Sequence, residues 1–353
     1  MSAGEAGDAG SVPADMALHP TPAAQGLAMP PEWAPHERTY MGWPCRRELW
    51  GTALADAKAQ YAGVANAVAA FEPLTMVCAT PQDAAEARAA LAADVEILEL
   101  PADDSWLRDT GPIFVVDEEG SRRAGVHFGF NAWGDKFEGY TADAALGARL
   151  VEHAGDELFT APFVLEGGAI LVDGDGTLLT TEQCLLHPNR NPTWTREELE
   201  QGLRDHLGVR RVVWLGDGIA EDRDTDGHVD MFAVFTGPGR VLLQSAPPGH
   251  PDHLAMADNR ARAQAAGLEV IDFPVPPAPA TVAGREIGMA YLNLYLSDRF
   301  AIMPIAGAPS DEEAVAAVAA ALPGHEVIPV PGTTVAFGGG GPHCITQQVP
   351  RLG

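Results

Sequence analysis

The chain has 353 residues, with 22 Lys plus Arg against 49 Asp plus Glu, for a net charge of −27. So acidic a molecule repels nucleic acid and anionic lipid and draws in small cations, which excludes nucleic-acid and membrane-surface roles. No apolar run approaches the roughly 20 residues of a membrane span, no secretion signal is read at the N-terminus, and Cys45, Cys78, Cys184 and Cys344 show neither CxxC nor framework spacing, pointing to a reducing cytoplasm.

Residues 1–28, rich in Ala, Gly and Pro without periodicity, read as a disordered leader, and 29–353 as one domain. Helical patterns are expected near 53–71 and 82–93. After them, short β-rich runs pair across turn residues: IFVVD-EEGS-RRAGVHF from Ile113, AILVD-GDG-TLLTT from Ala169, MFAVF-TGPG-RVLLQS from Met231 and LNLYLS-DR-FAIMPIA from Leu292. Ala-rich helical patterns follow near 142–154, 195–206, 256–266 and 312–322, each leading into a short apolar strand such as VRRVVWL or LEVIDFP. Hairpin, helix and strand thus recur about every 60 residues, the mark of a rotational or solenoid repeat. Five units fit if the N- and C-terminal strands close one unit together, giving an α/β propeller of fivefold pseudosymmetry around a central cavity. Cys78 and Cys184, in apolar strand-like runs, read as buried structural thiols.

Three segments superimpose without a gap: DTGPIFVV from Asp109, EGGAILVD from Glu166 and HVDMFAVF from His228. Equivalent positions of a rotational repeat face one axis, so Asp109, Glu166 and His228 converge on one cavity. Asp230 joins them, because residues two apart in an extended strand share a side. The tail FGGGGPHCITQQVP adds Cys344 behind Gly338 to Gly341, a stretch that brings backbone close to a ligand and presents a thiol in a tight turn. Cys344 is therefore read as a nucleophile. A Cys/His pair with an orienting acid is the arrangement of an activated thiolate. Surplus carboxylates in one pocket need a cation. Ligands scattered singly lack compact zinc spacing, so no metal or cofactor is expected. A planar guanidinium matches carboxylates bidentately and would explain both halves of the site.

The chain resembles agmatine deiminases, within the guanidine-modifying superfamily that includes arginine and peptidylarginine deiminases. The resemblance spans about residues 29–350. It rests on MPPEWAPHERTYMGWP at 29–44, DDSWLRDTGP at 103–112, FNAWGDKF at 130–137, LEGGAI at 165–170, TTEQCLLHPNRNP at 180–192, DTDGHVD at 224–230 and GGGGPHCITQQVP at 338–350. It implies a fivefold α/β propeller and cofactor-free hydrolysis of a guanidine to a ureido group with loss of ammonia. For agmatine, the product would be N-carbamoylputrescine, a polyamine precursor. It implies Cys344 as nucleophile, His228 as general acid and base, Glu166 as the acid orienting it, and Asp109 with Asp230 as the grip on the guanidinium. It leaves homo-oligomers open. Met231 after HVD, and His187-Pro188 before NRNP, depart from the family pattern and bear on the substrate's distal end.

Trp33, Trp43, Trp106 and Trp133 lie in family segments, and core packing is the default for a tryptophan in such a fold. Trp106, beside Asp109, is assigned to the substrate channel. Arg108 reads as a structural cation pairing Asp103, Asp104 or a carbonyl. His343 reads as structural, since a neighbour of Cys344 in an extended segment would face away. Asp224 and Asp226 are candidates for a dication's far end, with solvated loop charge the expected state of at least one. Other guanidines (arginine, methylated arginine, peptidyl-arginine, a guanidine metabolite) and amidinotransfer remain alternative enzyme readings. A non-catalytic binding propeller has no use for the Cys, His and Glu set.

Overall fold

Each hairpin anticipated from the sequence extends into a sheet of one repeated pattern in a computed structural model that describes residues 20–353. Two antiparallel strands form the hairpin, and its second strand pairs in parallel with a third. A parallel neighbour requires a crossover, and a helix supplies it. The first unit is Ile113–Asp117, Arg123–Gly129 and Glu157–Val164, crossed by helix Leu146–Ala154. The second is Ile170–Val172, Thr177–Thr181 and Arg211–Leu215, crossed by Arg196–Leu207. The third is Ala233–Gly237, Arg240–Gln244 and Glu269–Phe273, with His253–Ala265. The fourth is Tyr295–Leu296, Phe300–Ile305 and Glu326–Pro331, with Asp311–Ala321. The fifth joins the chain ends: Thr346–Pro350 pairs antiparallel with His36–Gly42, which pairs in parallel with Leu74–Cys78 across helix Leu54–Ala69. Helix Pro81–Ala90 then adds an edge strand, Glu96–Glu99. The result is a mixed α/β fold whose last strand is held by its first long one.

Local chemistry sets the boundaries. Thr195 and Glu198 form a reciprocal capping box at the start of Arg196–Leu207, and Gly208 ends that helix in the left-handed region. Two differences from expectation stand out. The leader was placed over 1–28; residues 1–19 lie outside the described residues, but 20–28 are built into the fold. Leu27–Ala28 pairs antiparallel with Val116 and Asp117, and Leu27 is buried among the apolar side chains of the first two units. An alanine-rich composition hid one apolar residue that is enough to dock a short edge. A further hairpin, Ala278–Val282 with Arg285–Met289, interrupts the repeat between the third and fourth units. Its largely half-exposed residues lack a continuous apolar face, so no period announced it. No described helix is long and apolar enough to cross a membrane.

The DDSW loop is pinned to the start of the first unit's helical segment. Asp143 Oδ1 accepts from the N–H groups of Asp103 and Asp104 at 2.8 and 3.2 Å, while Asp103 Oδ2 accepts from the Ala142 N–H at 2.7 Å. Asp104 is buried, and burial followed by the Asp143 charge pushes its carboxyl up to about 7, with Arg46 at 3.7 Å a partial offset. Burial likewise pushes Asp143 up to about 6 against its backbone donors. A folded-state value above the unfolded one gives stability that is fully present below the unfolded value and lost as pH rises through the folded one. These groups therefore weaken the fold between about pH 4 and 7. Asp104→Asn should raise the unfolding temperature relative to the parent at pH 8, by the equivalent of roughly 2–4 kcal/mol, and leave it nearly unchanged at pH 5. Thermal unfolding of both proteins at the two pH values checks this.

Candidate active site

Three of the five units present a chemically loaded residue at the same place, a single tight turn leading into the hairpin. Asp109 sits in the turn Leu107–Thr110 before Ile113, Glu166 precedes the turn Gly167–Ala169 before Ile170, and His228 precedes Val229–Met231 before Ala233. The gapless alignment of the sequence segments is thus an equivalence in space. Their convergence is read most directly at Gly168. A Cβ there would lie 2.6 Å from His228 Nδ1, 2.8 Å from Asp230 Oδ2 and 3.0 Å from Asp109 Oδ1. Only glycine leaves room for three side chains at that spot. Asp230 arrives by a route other than the expected one. Val229–Met231 is a 3-10 turn, so His228 and Asp230 reach the site by helical turning, not by strand alternation.

The carboxylates are buried and individually held. Asp109 accepts from the Gly168 N–H and from Trp133 Nε1–H, both at 2.9 Å. Burial raises its carboxyl, with Asp230 and Glu166 adding to the rise and His228 opposing it. Asp230 Oδ2 accepts from His343 Nδ1 at 2.7 Å, and Oδ1 has no protein partner. Burial would raise Asp230, but His343 and then His228 hold it below the usual range. Glu166 Oε1 accepts from Arg190 Nε at 2.6 Å, and its Oε2 also has no partner. There too burial is outweighed, chiefly by the Arg190 guanidinium, and the carboxyl is lowered. His228 lies between acids: Nδ1 is 3.9 Å from Asp109 Oδ1 and Nε2 is 3.9 Å from Glu166 Oε2, with neither nitrogen hydrogen-bonded. Burial lowers an imidazole, yet here the Asp109 charge, then Cys184 and Glu166, carry it well above its ordinary value.

Cys344 closes the ring of residues from the fifth unit. Its Sγ is 3.5 Å from Asp230 Oδ2, and its N–H donates to Asn293 Oδ1 at 3.2 Å, which brings in the fourth unit. Burial, then the charges of Asp230 and Asp109, push the thiol well above its normal value. A Cβ at Gly340 would meet Cys344 Sγ at 2.9 Å and the Trp106 ring at 2.8 Å, so the glycine run clears the space around the sulfur. Cys344 and Asp109 line a cleft with Trp106, Trp133, Phe137, Asp104 and Asp224. Its walls are aromatic, with three carboxylates among them. Trp106 stacks on Trp50 at 6.0 Å between ring centroids.

Several residues carry more than the sequence suggested. Trp133 packs in the core, and it also lines the cleft and holds Asp109. Its loop has Ala132, Trp133 and Asp135 at positive φ, a strained path that places one indole. His343 lies in a turn, not an extended segment, and bridges Asp230 and Glu32, the latter at 2.6 Å from Nε2. Glu32 is held down to about 2, against burial, mainly by His343 and Arg108. Arg108 does meet a carbonyl, that of His343 at 3.3 Å, but its acid is Glu32 at 3.6 Å rather than Asp103 or Asp104. Asp226 is not a solvated loop charge. It accepts from Arg190 Nη1 and Lys136 Nζ, both at 2.7 Å, and so braces the cation that braces Glu166. Asp224 remains at the cleft. Met231 does not line the cleft; its sulfur meets Asn293 Nδ2 at 3.3 Å in an adjoining cavity. Cys184 is buried, as expected, but against the site: ligand atoms of Glu166, Cys184 and His228 all lie within 4.8 Å of one another.

Known proteins are similar to this chain along nearly its whole described length. Residues 28–350 match the model of the Porphyromonas-type peptidyl-arginine deiminase family. The agmatine deiminase of Stutzerimonas stutzeri is 41% identical over 365 residues, covering 94% of this chain and 98% of that one. That of Pseudomonas aeruginosa is 41% identical over 361 residues, covering 94% and 97%. Among solved structures, the agmatine deiminase of Enterococcus faecalis superposes with a TM-score of 0.89 at 32% identity, covering 95% and 98%. The match runs through every unit that contributes to the cleft, and the chain belongs to the Porphyromonas-type peptidyl-arginine deiminase family.

Proposed function

We propose that this protein hydrolyses agmatine to N-carbamoylputrescine and ammonia, with Cys344 as the nucleophile. The observation that carries the reading is the placing of a thiol 3.5 Å from one of two buried carboxylates, Asp109 and Asp230, at the end of an aromatic cleft. Like charges held in a dry pocket demand a cation, and a guanidinium supplies one whose N–H fork fits carboxylates. Gripped there, its central carbon faces the sulfur. The same positive charge offsets Asp230 and Asp109, the groups that hold the thiol protonated, so substrate binding favours the thiolate. Cys344 attacks the guanidinium carbon, His228 delivers a proton to the departing nitrogen, and ammonia leaves a thiouronium on the sulfur. A water deprotonated by His228 adds to that carbon, and the C–S bond breaks to release the ureido product and the thiol. Glu166, held by Arg190, keeps the imidazole protonatable and oriented.

The five like sheets, and the contribution of each unit to one cluster of site residues, support a fivefold pseudosymmetric propeller with the reaction at its axis. Asp224 at the cleft is positioned for the distal amine of a dication. Arginine's α-carboxylate would meet Asp104 and Asp224 in the lining and no free basic group there. Agmatine should therefore exceed arginine and a blocked arginyl peptide in kcat/KM, with the advantage shrinking at high salt. Cys344→Ala should abolish ammonia release while agmatine still binds. Arginine outperforming agmatine would refute the substrate, and turnover by the alanine variant would refute the nucleophile.

Asn at Asp109 or Asp230 removes one charge of the grip, a loss of about 2–5 kcal/mol in binding as well as in turnover. Glu166→Gln should spare binding and slow chemistry, although its lost pairing with Arg190 will also lower the unfolding temperature. Titration calorimetry beside steady-state rates separates the two classes.

The thiol itself gives an independent readout. Because Asp230 raises Cys344, its alkylation by iodoacetamide in the free protein should accelerate only above the ordinary thiol range. Asp230→Asn should move that pH–rate profile to lower pH. Peptide mapping of the alkylated cysteine at each pH checks both the site and the sign.

A further inference from the structure

We infer that Glu166, Cys184 and His228 form a binding site for a soft divalent ion of the zinc class, whose occupancy blocks the reaction. Scattered spacing argued against any metal, because the three residues stand 18 and 44 positions apart in the chain. The fold removes that objection. Glu166 precedes the turn of the second unit, Cys184 lies in the one-turn helix Glu182–Leu185 after the second unit's hairpin, and His228 precedes the turn of the third. One ligand atom from each falls within 4.8 Å of the others, and all three side chains are wholly buried.

A second observation points into the same space. Glu166 Oε2 and both nitrogens of His228 are buried polar atoms without a hydrogen-bond partner. Orphaned buried groups are rare and call for an occupant. The edge from Nε2 to Oε2 is 3.9 Å. Zinc bonds of about 2.0–2.1 Å to nitrogen, 2.0–2.2 Å to oxygen and 2.3 Å to sulfur give tetrahedral edges of roughly 3.3–3.7 Å, so modest closure of the side chains brings this edge into range. Thiolate, imidazole and carboxylate together select zinc, cadmium or cobalt over magnesium or calcium.

The surroundings hold the ligands as a metal site does. Asp109 Oδ1 faces His228 Nδ1 at 3.9 Å, on the far side of the ring from Nε2. Arg190 anchors Glu166 through its other oxygen, and Thr181 Oγ1 accepts from the Cys184 N–H at 3.2 Å, capping the turn that presents the sulfur. Such outer partners set ligand orientation. On binding, the Cys184 S–H proton is released and a metal–sulfur bond forms, with no change of oxidation state. His228 and Glu166 are then occupied. The inhibitory consequence rests on the function proposed above; the binding does not.

The test uses the full chain, stripped of metal by chelation, with zinc and cobalt salts as probes. One zinc ion per chain should bind, ammonia release should fall with the same saturation, and the cobalt form should show a thiolate-to-metal band. Cys184→Ser should bind zinc roughly 100-fold or more weakly, keep its ammonia release without metal and resist inhibition; Cys184→Ala should do the same. Cys344→Ala should retain both the zinc and the cobalt–thiolate band, a readout that needs no Cys184 variant. Absence of stoichiometric zinc, undiminished zinc affinity in both Cys184 variants, or loss of the band in Cys344→Ala would each overturn the site. Zinc held through Cys184 by a protein that releases no ammonia from any guanidine would support the site and reject the function instead.

Discussion

Negative charge buried in the interior is the constraint on which the rest of this structure depends. Asp109 and Asp230 crowd Gly168, and Asp109 and Glu166 flank the His228 imidazole, where their mutual repulsion is weakly screened. The fold does not neutralise all of them. Arg190 takes one oxygen of Glu166, and His343 takes one oxygen of Asp230, while the remaining oxygen of each is left open. Asp109 receives only neutral N–H donors, from Gly168 and Trp133. The oxygens left open, Glu166 Oε2 and Asp230 Oδ1, are the ones available to a further N–H donor.

The supporting shell follows from the same constraint. Each compensating cation is itself buried and must be held by a further anion: Arg190 by Asp226, and His343 by Glu32, which Arg108 then approaches. Charge therefore alternates outward from the cleft, so that no buried ion of this shell stands alone. The alternation also explains why a loop residue such as Asp226, and an N-terminal residue such as Glu32, are drawn into the interior of an otherwise acidic protein. Removing any outer member exposes the next inner one as an uncompensated charge.

Much of this was legible beforehand. Hairpin, helix and strand recur at a spacing that apolar runs and turn residues reveal directly, and the alignment of Asp109, Glu166 and His228 needs only the repeat. Asn293 escaped notice because its unit presents an amide where others present an acid or imidazole, and its work is to accept from the Cys344 N–H. The direction of His343 was misread through an assumed backbone, while Trp133 packs in the core as expected and also serves the cleft. Alternation in an extended strand turns a neighbour away, whereas the turn around Cys344 and the positive-φ loop at Trp133 bring both inward. The short strand Leu27–Ala28 lay hidden in a composition suited to disorder.

The sequence by itself determined the repeated unit, the chemistry available to the site and the acidity that favours a cationic ligand. Those properties reside in local periodicity and in the identity of side chains. The tertiary structure alone decided which oxygens are satisfied and which are open, that Asp226 and Glu32 brace the interior, and that Cys184 lies against His228 and Glu166. These depend on contacts between residues tens to hundreds of positions apart, and on side-chain directions set by turns. Neither hydrophobic period nor motif spacing encodes them, because they arise only when the separate units pack around a common centre.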